Sequence, residues 1–154
     1  MNYINEVVKR LEKNEINMEK CTEDDLAILN SILKKGELPK AYIQFMKVMG
    51  NGTKGKFMRG DSCFMNEIKD LRQGAIELLE ENNSKNTITD NDFIFWMSQG
   101  CMFCFFKINE GDNPPVYFYN ENRKDDKFTK ITNSFTDFLI ARLEMKKDLF
   151  KEVY

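Results

Sequence analysis

The chain of 154 residues contains no histidine. The side chain that titrates closest to neutrality is therefore absent, and with it the commonest general base and a preferred ligand of transition metals. Long apolar runs are missing too. The first residues, MNYINEVVKRLEKN, hold no hydrophobic stretch of the secretory kind, and no segment reaches the ~20 apolar residues that cross a bilayer. These absences predict a cytoplasmic protein without membrane contact, whose four cysteines are reduced thiols. Nor is there an excess of positive charge: 23 Lys and Arg stand against 25 Asp and Glu, a formal net charge of −2. Nucleic-acid binders commonly present a basic face, so nucleic acid is not expected as the direct partner.

What the chain has in quantity is bulky apolar material, with 13 Phe, 9 Met and 5 Tyr among 42% hydrophobic residues. That predicts one globular domain over residues 1–154, with a sizeable core and no internal repeat. Ile4, Val7, Val8 and Leu11 follow the spacing of one helix face. Thr22 followed by Asp25 reads as a capping box opening a second helix with Leu26, Leu29 and Leu33 inward, and Gly36 reads as its stop. Pro39 opens a third helix whose inner face is Tyr42, Phe45, Met46 and Met49, and Gly50 ends it. A fourth helix is expected near 66–81, with Ile68, Leu71, Ala75, Leu78 and Leu79 inward, followed by the polar loop ENNSKNTITDND.

After Asp92 the character changes. DFIFWMS and CMFCFFKI are short aromatic runs separated by Gln99-Gly100, the signature of a hairpin. Asp112-Asn113-Pro114-Pro115 reads as a turn, PVYFYN as another strand and residues 128–131 as a short edge strand. Ser134 to Asp137 repeats the capping pattern before a long terminal helix carrying Phe135, Phe138, Leu139, Leu143, Phe150 and Val153. The predicted fold class is α+β: a mainly antiparallel sheet of about 4–6 strands flanked by helices, with N-terminal helices and a long C-terminal one.

Three motif look-alikes need weighing against this frame. Cys101 and Cys104 form a Cys-x-x-Cys, but it falls in an aromatic strand, with no second ligand pair and no helix N-terminus to acidify a thiol. All four cysteines, Cys21, Cys63, Cys101 and Cys104, read as core. GNGTKGKF from Gly50 to Phe57 matches a dinucleotide glycine pattern and most of a phosphate loop. Both motifs require a strand before and a helix after, whereas here a helix runs in and β-like KFM runs out, so it reads as a cap and turn. Arg59-Gly60-Asp61 reads as a turn. The acidic pairs Asp90 with Asp92, Glu110 with Asp112 and Asp125 with Asp126 lie in loops beside Asn and Lys, where solvated surface charge is the ordinary explanation. No catalytic residue, metal or cofactor is assigned, and the chain is expected to be a binding protein and not an enzyme.

The succession LPKAYIQFMKVMGNG, NEIKDL, FIFWMSQGCMFCFF, PPVYFYNEN and SFTDFLIARLE is similar to the SUKH superfamily, of the Smi/Knr cell-wall-regulator type. The resemblance runs from about Leu38 to Leu143. It is carried by Leu38, Pro39, Tyr42 and Phe45, by Asn51 and Gly52, by Glu67 and Ile68, by Gln99 and Gly100, by Pro115–Tyr117 and by Ser134–Leu139. It departs at Cys101, where an aromatic is frequent in the family. The resemblance implies an α+β fold and, in bacteria, an immunity protein that binds the cognate toxin domain of a polymorphic toxin, often a nuclease, and neutralises it without chemistry. The alternative it implies is an intracellular regulatory or scaffold module, and a small-ligand binder or enzyme is the remote third. An acidic inhibitor would associate quickly with a basic nuclease. The candidate partner contacts are Asp90, Asp92, Glu110, Asp112, Glu121, Asp125 and Asp126 in the loops, with Trp96, Tyr117 and Tyr119 as aromatic anchors. Trp96 and one of the two tyrosines are also natural core residues. The toxin's identity, the binding face and the oligomeric state stay open.

Overall fold

The computed structural model describes residues 1–144. Five helices and five strands follow in the order α1 (Asn5–Lys13), α2 (Glu23–Ile32), α3 (Lys40–Met49), β1 (Asp61–Ser62), α4 (Met65–Glu81), β2 (Asp92–Ser98), β3 (Met102–Lys107), β4 (Val116–Asn120), β5 (Thr129–Thr132) and α5 (Phe135–Leu143). The fold is α+β, as the order of patterns predicts, with helices first, strands after them and a helix to close. Of the expected terminal helix, Phe150 and Val153 lie outside the described residues.

Helix starts obey local chemistry. Thr22 Oγ1 accepts from the Asp25 amide at 3.1 Å and the Asp25 carboxylate accepts from the Thr22 amide at 2.8 Å, closing the capping box of α2. Ser134 Oγ accepts from the Asp137 amide at 3.0 Å and opens α5. Pro39 is the N-cap of α3. α2 stops at Ile32, before Gly36, because Leu33 already has extended backbone. Gly50, which caps α3, has no substitute: a Cβ there would stand 2.3 Å from Cys21 Sγ and 2.6 Å from Met46 O. The glycine run beyond it is a turn tied to the chain before α2, with Asn51 N donating to Glu19 O and Glu19 N to Gly52 O, both at 2.9 Å. Lys56–Met58 forms no strand, contrary to its β-like composition. Thr53 Oγ1 accepts from Phe57 N at 2.9 Å and turns Phe57 and Met58 inward. The strand that follows, β1, begins at Asp61 inside the Arg59-Gly60-Asp61 turn.

The sheet is antiparallel throughout, with its strands side by side in chain order. The β2–β3 hairpin turns at Gln99 and Gly100, both at positive φ, and Cys101 N closes the turn on Ser98 O. A register shift between Ile94 and Trp96 inserts Phe95 as an extra residue. Phe95 and Trp96 consequently both face α5, each with its ring edge-on to Phe138. On that face Tyr42 and Phe45 of α3 and Phe135 and Phe138 of α5 meet Phe93, Phe95 and Phe106 in one aromatic layer. α4 covers the opposite face, crossing β2 so closely that a Cβ on Gly74 would stand 3.1 Å from Met97 Sδ. Beside α4, Phe103, Phe105, Tyr117, Tyr119 and Phe128 form a second aromatic cluster. The core therefore lies in two layers, one on each side of the sheet.

Three cysteines are core, as expected, and burial pushes the thiols of Cys63 and Cys104 well up. Cys101 differs: it sits half-buried in the hairpin turn and not inside β3, so the strand placement and full burial expected of it do not hold.

Candidate functional site

The acidic loop residues divide between the two ends of the sheet. At the end where β2 and β4 begin and β3 finishes stand Asp90, Asp92, Glu110, Asp112 and Tyr117. Glu121, Asp125 and Asp126 stand beyond the other end, after β4.

Asp92 is not a surface acid. It is 4% exposed, and its Oδ2 accepts from the amide and hydroxyl of Thr89 at 2.8 and 3.0 Å. The register pairs it with Lys107, whose Nζ reaches Oδ1 at 2.9 Å. The expectation that Asp92 is a solvated loop acid is thus corrected: its carboxylate faces inward and fixes the entry to β2. Arg72 of α4 reinforces that entry, donating to the carbonyl oxygens of Asp92 and Thr89 at 3.0 and 3.2 Å. Asp90 remains exposed, with Lys34 Nζ at 3.8 Å and Arg72 Nη2 at 3.9 Å. The ammonium of Lys107 lies 5.6 Å from the ring centroids of both Phe105 and Tyr117. Tyr117 donates to Glu110 at 2.9 Å, and burial together with that bond pushes its phenol up to about 12. Asp112 faces Lys40 at 3.8 Å, while its carbonyl accepts from Ala41 N at 2.9 Å and satisfies a first-turn donor of α3.

At the other end Asp126 is largely occupied. Its Oδ2 accepts from the Lys85 amide at 2.9 Å and its carbonyl from Asn86 Nδ2 at 2.8 Å. The Lys85 amide and the Ser84 hydroxyl hold its carboxyl below the usual range. This contact pins residues 82–91, the connection between α4 and β2, across the second aromatic cluster. Asp125 makes a two-pronged pair with Arg123, which lowers its pKa, and Glu121 accepts from Asn82 Nδ2 at 3.3 Å.

The aromatic anchors separate as well. Trp96 is 1% exposed, edge-on to Phe138, with the Arg142 guanidinium 5.7 Å from its ring. Tyr119 is buried and stacked on Phe103 at 5.3 Å. Both belong to the core, and Tyr117 is the anchor that stays partly exposed. What the loop-by-loop reading missed is α4, whose exposed face carries Glu67, Asp70, Glu77, Glu80 and Glu81. Its helical spacing was the available signal. Among the described residues no three Cys, Asp or Glu side chains gather as a metal site would require, and no helix is long and apolar enough to cross a membrane.

Five antiparallel strands in chain order, with helices on both faces and the acidic loops bound up in contacts within the chain, define an α+β domain of helix-covered meander type. A family model described as SMI1-KNR4 cell-wall, of the SUKH group, matches residues 23–139. The chain belongs to that family, over a span that begins at α2 and ends inside α5. No curated protein matches the chain.

Proposed function

We propose that this chain is a non-catalytic immunity protein that binds and neutralises a cognate toxin domain. Membership of the SUKH family over residues 23–139 is the observation that carries this reading. Two features of the chain support it. The chain has no histidine, and Asp92 and Asp126, one member of each of two acidic pairs, are committed to structural hydrogen bonds. The exposed carboxylates, Asp90, Glu110 and Asp112 at one end and the stripe on α4, suit rapid association with a basic nuclease.

The test is calorimetric titration with the C-terminal domain of a toxin encoded beside this gene, run together with an assay of toxin activity. One-to-one binding with abolished activity is the expected result. Absence of binding at micromolar concentrations overturns the pairing. The second reading, an intracellular regulatory or scaffold module, draws on the cell-wall description of the matching family. It would gain if the gene has no toxin neighbour and the protein is present constitutively.

A further inference from the structure

The outer face of α4 flanks a surface that the loops do not explain. Asp70, Gln73, Glu77, Glu80 and Glu81 recur at helical spacing, so they share one stripe along the 17-residue helix. Beside the C-terminal half of that stripe a groove of about 280 Å³ opens between α4 and the segment 82–91. Its floor is apolar, made by Ile76, Leu79 and Ile88, and its lip carries Glu80, Ser84 and Asn86. The isoleucines are half-buried and so offer apolar surface to water in the groove that Glu80 also lines. The walls are fixed: Asp126 holds Lys85 and Asn86, Asn86 Nδ2 reaches Ser84 Oγ at 3.1 Å, and Asp92 holds Thr89. A groove so braced needs little ordering when a partner arrives. The wider groove between α2 and α3 mixes Glu23 and Glu37 with Lys47 at its rim and selects no sign of charge.

We propose that the groove between α4 and residues 82–91 is a docking site for a protein segment presenting a lysine or arginine side chain. The aliphatic stem lies on Ile76, Leu79 and Ile88, and the cation is met by Glu80, with Glu77 and Glu81 adding field behind it. Charge complementarity selects this occupant: an apolar floor under an acidic lip matches a side chain that is apolar along its length and positive at its end. The inference rests on the reading of this chain as a protein binder and narrows the chemistry of the partner.

The test is an amide NMR titration of the full chain with a capped tetrapeptide of alternating lysine and leucine. The same peptide with acetylated lysines is the control, as is the triple variant Glu77→Gln, Glu80→Gln, Glu81→Gln. Saturable shifts are expected at Ile76, Leu79, Glu80 and Ile88, with affinity at least about fivefold weaker for the acetylated peptide and for the variant. No saturable shift in the groove at millimolar peptide overturns the proposal. Equal binding of the acetylated peptide does so too, because the occupant is then merely apolar. The toxin titration separates the two readings. A toxin domain that binds the triple variant as tightly as the wild type leaves the immunity reading standing and removes this groove from the interface. A wild-type protein that ignores the toxin yet takes the basic peptide in the groove overturns that pairing and upholds the docking site.

Discussion

Tyr42 stands at the centre of the main aromatic layer, its ring 5.2 Å from Phe93 and from Phe106 and 5.6 Å from Phe135. Its hydroxyl is fully buried and meets no donor or acceptor. Such a group forfeits its bonds to water on folding without replacement. Tyr42→Phe should therefore stabilise the protein, by about 1 kcal/mol, seen as a higher urea midpoint at unchanged slope. A lower midpoint would mean that a buried water serves the hydroxyl. Tyr42 was legible in the sequence as an inward helix residue, because three- and four-residue spacing survives folding. Asp92 was not. Its neighbours in sequence, Asn91 and Asp90, mark a polar loop, and its burial follows from a partner 15 positions away, Lys107, which only the strand register brings opposite. Trp96 was ambiguous for a related reason: the bulge at Phe95 decides its face, and bulges leave little trace in alternation.

Elements were read more completely than sites. Each helix with a side-chain cap and an apolar stripe was placed to within a residue or two at its start, since the signals lie inside the element itself. β1 was missed because two residues cannot display a period, and its pairing with β2 is entirely a tertiary matter. The segment 82–91 was recognised as a loop, but its attachment to Asp126 is a contact across 41 positions that no local pattern announces. That attachment predicts an element-scale effect. Asp126→Asn should accelerate hydrogen exchange at the Lys85 amide and its neighbours while leaving β2 and β3 protected. The sign with pH is fixed by the lowered carboxyl: the bond is at full strength above about pH 4, the unfolded value, and weakens as pH falls through the lower folded value. Uniform exchange in wild type and variant would show that the segment holds without Asp126.

At the scale of the whole molecule, burial of cysteine sets an alkaline limit. Burial, with Asp25 adding to it, pushes Cys21 up to about 11, and Cys63 and Cys104 are raised as well. Thiols in the unfolded chain ionise near pH 8.5, so the stability these groups contribute is complete below that value and is lost as pH rises toward 11. The urea midpoint should fall across this window, and Cys21→Ala should flatten the decline. A decline unchanged in Cys21→Ala would assign it to other groups. The placement of the acids is also a whole-molecule fact. Loops that look alike in sequence stand at opposite ends of strands up to seven residues long, so one face of a partner engages one group or the other.

The last described helix closes the structure over its beginning. Thr136 Oγ1 donates to Tyr3 O at 2.8 Å, Arg10 reaches Glu144 at 2.9 Å, and Phe135 and Phe138 cap the rings of β2. On the ribosome the strands leave the exit tunnel first, and their aromatic face is covered by α3 alone until α5 follows. At translation speeds of about 5–20 residues per second that interval lasts on the order of seconds. The nascent chain is then at its stickiest, and the pace of decoding between Phe106 and Phe138 governs how long it stays so.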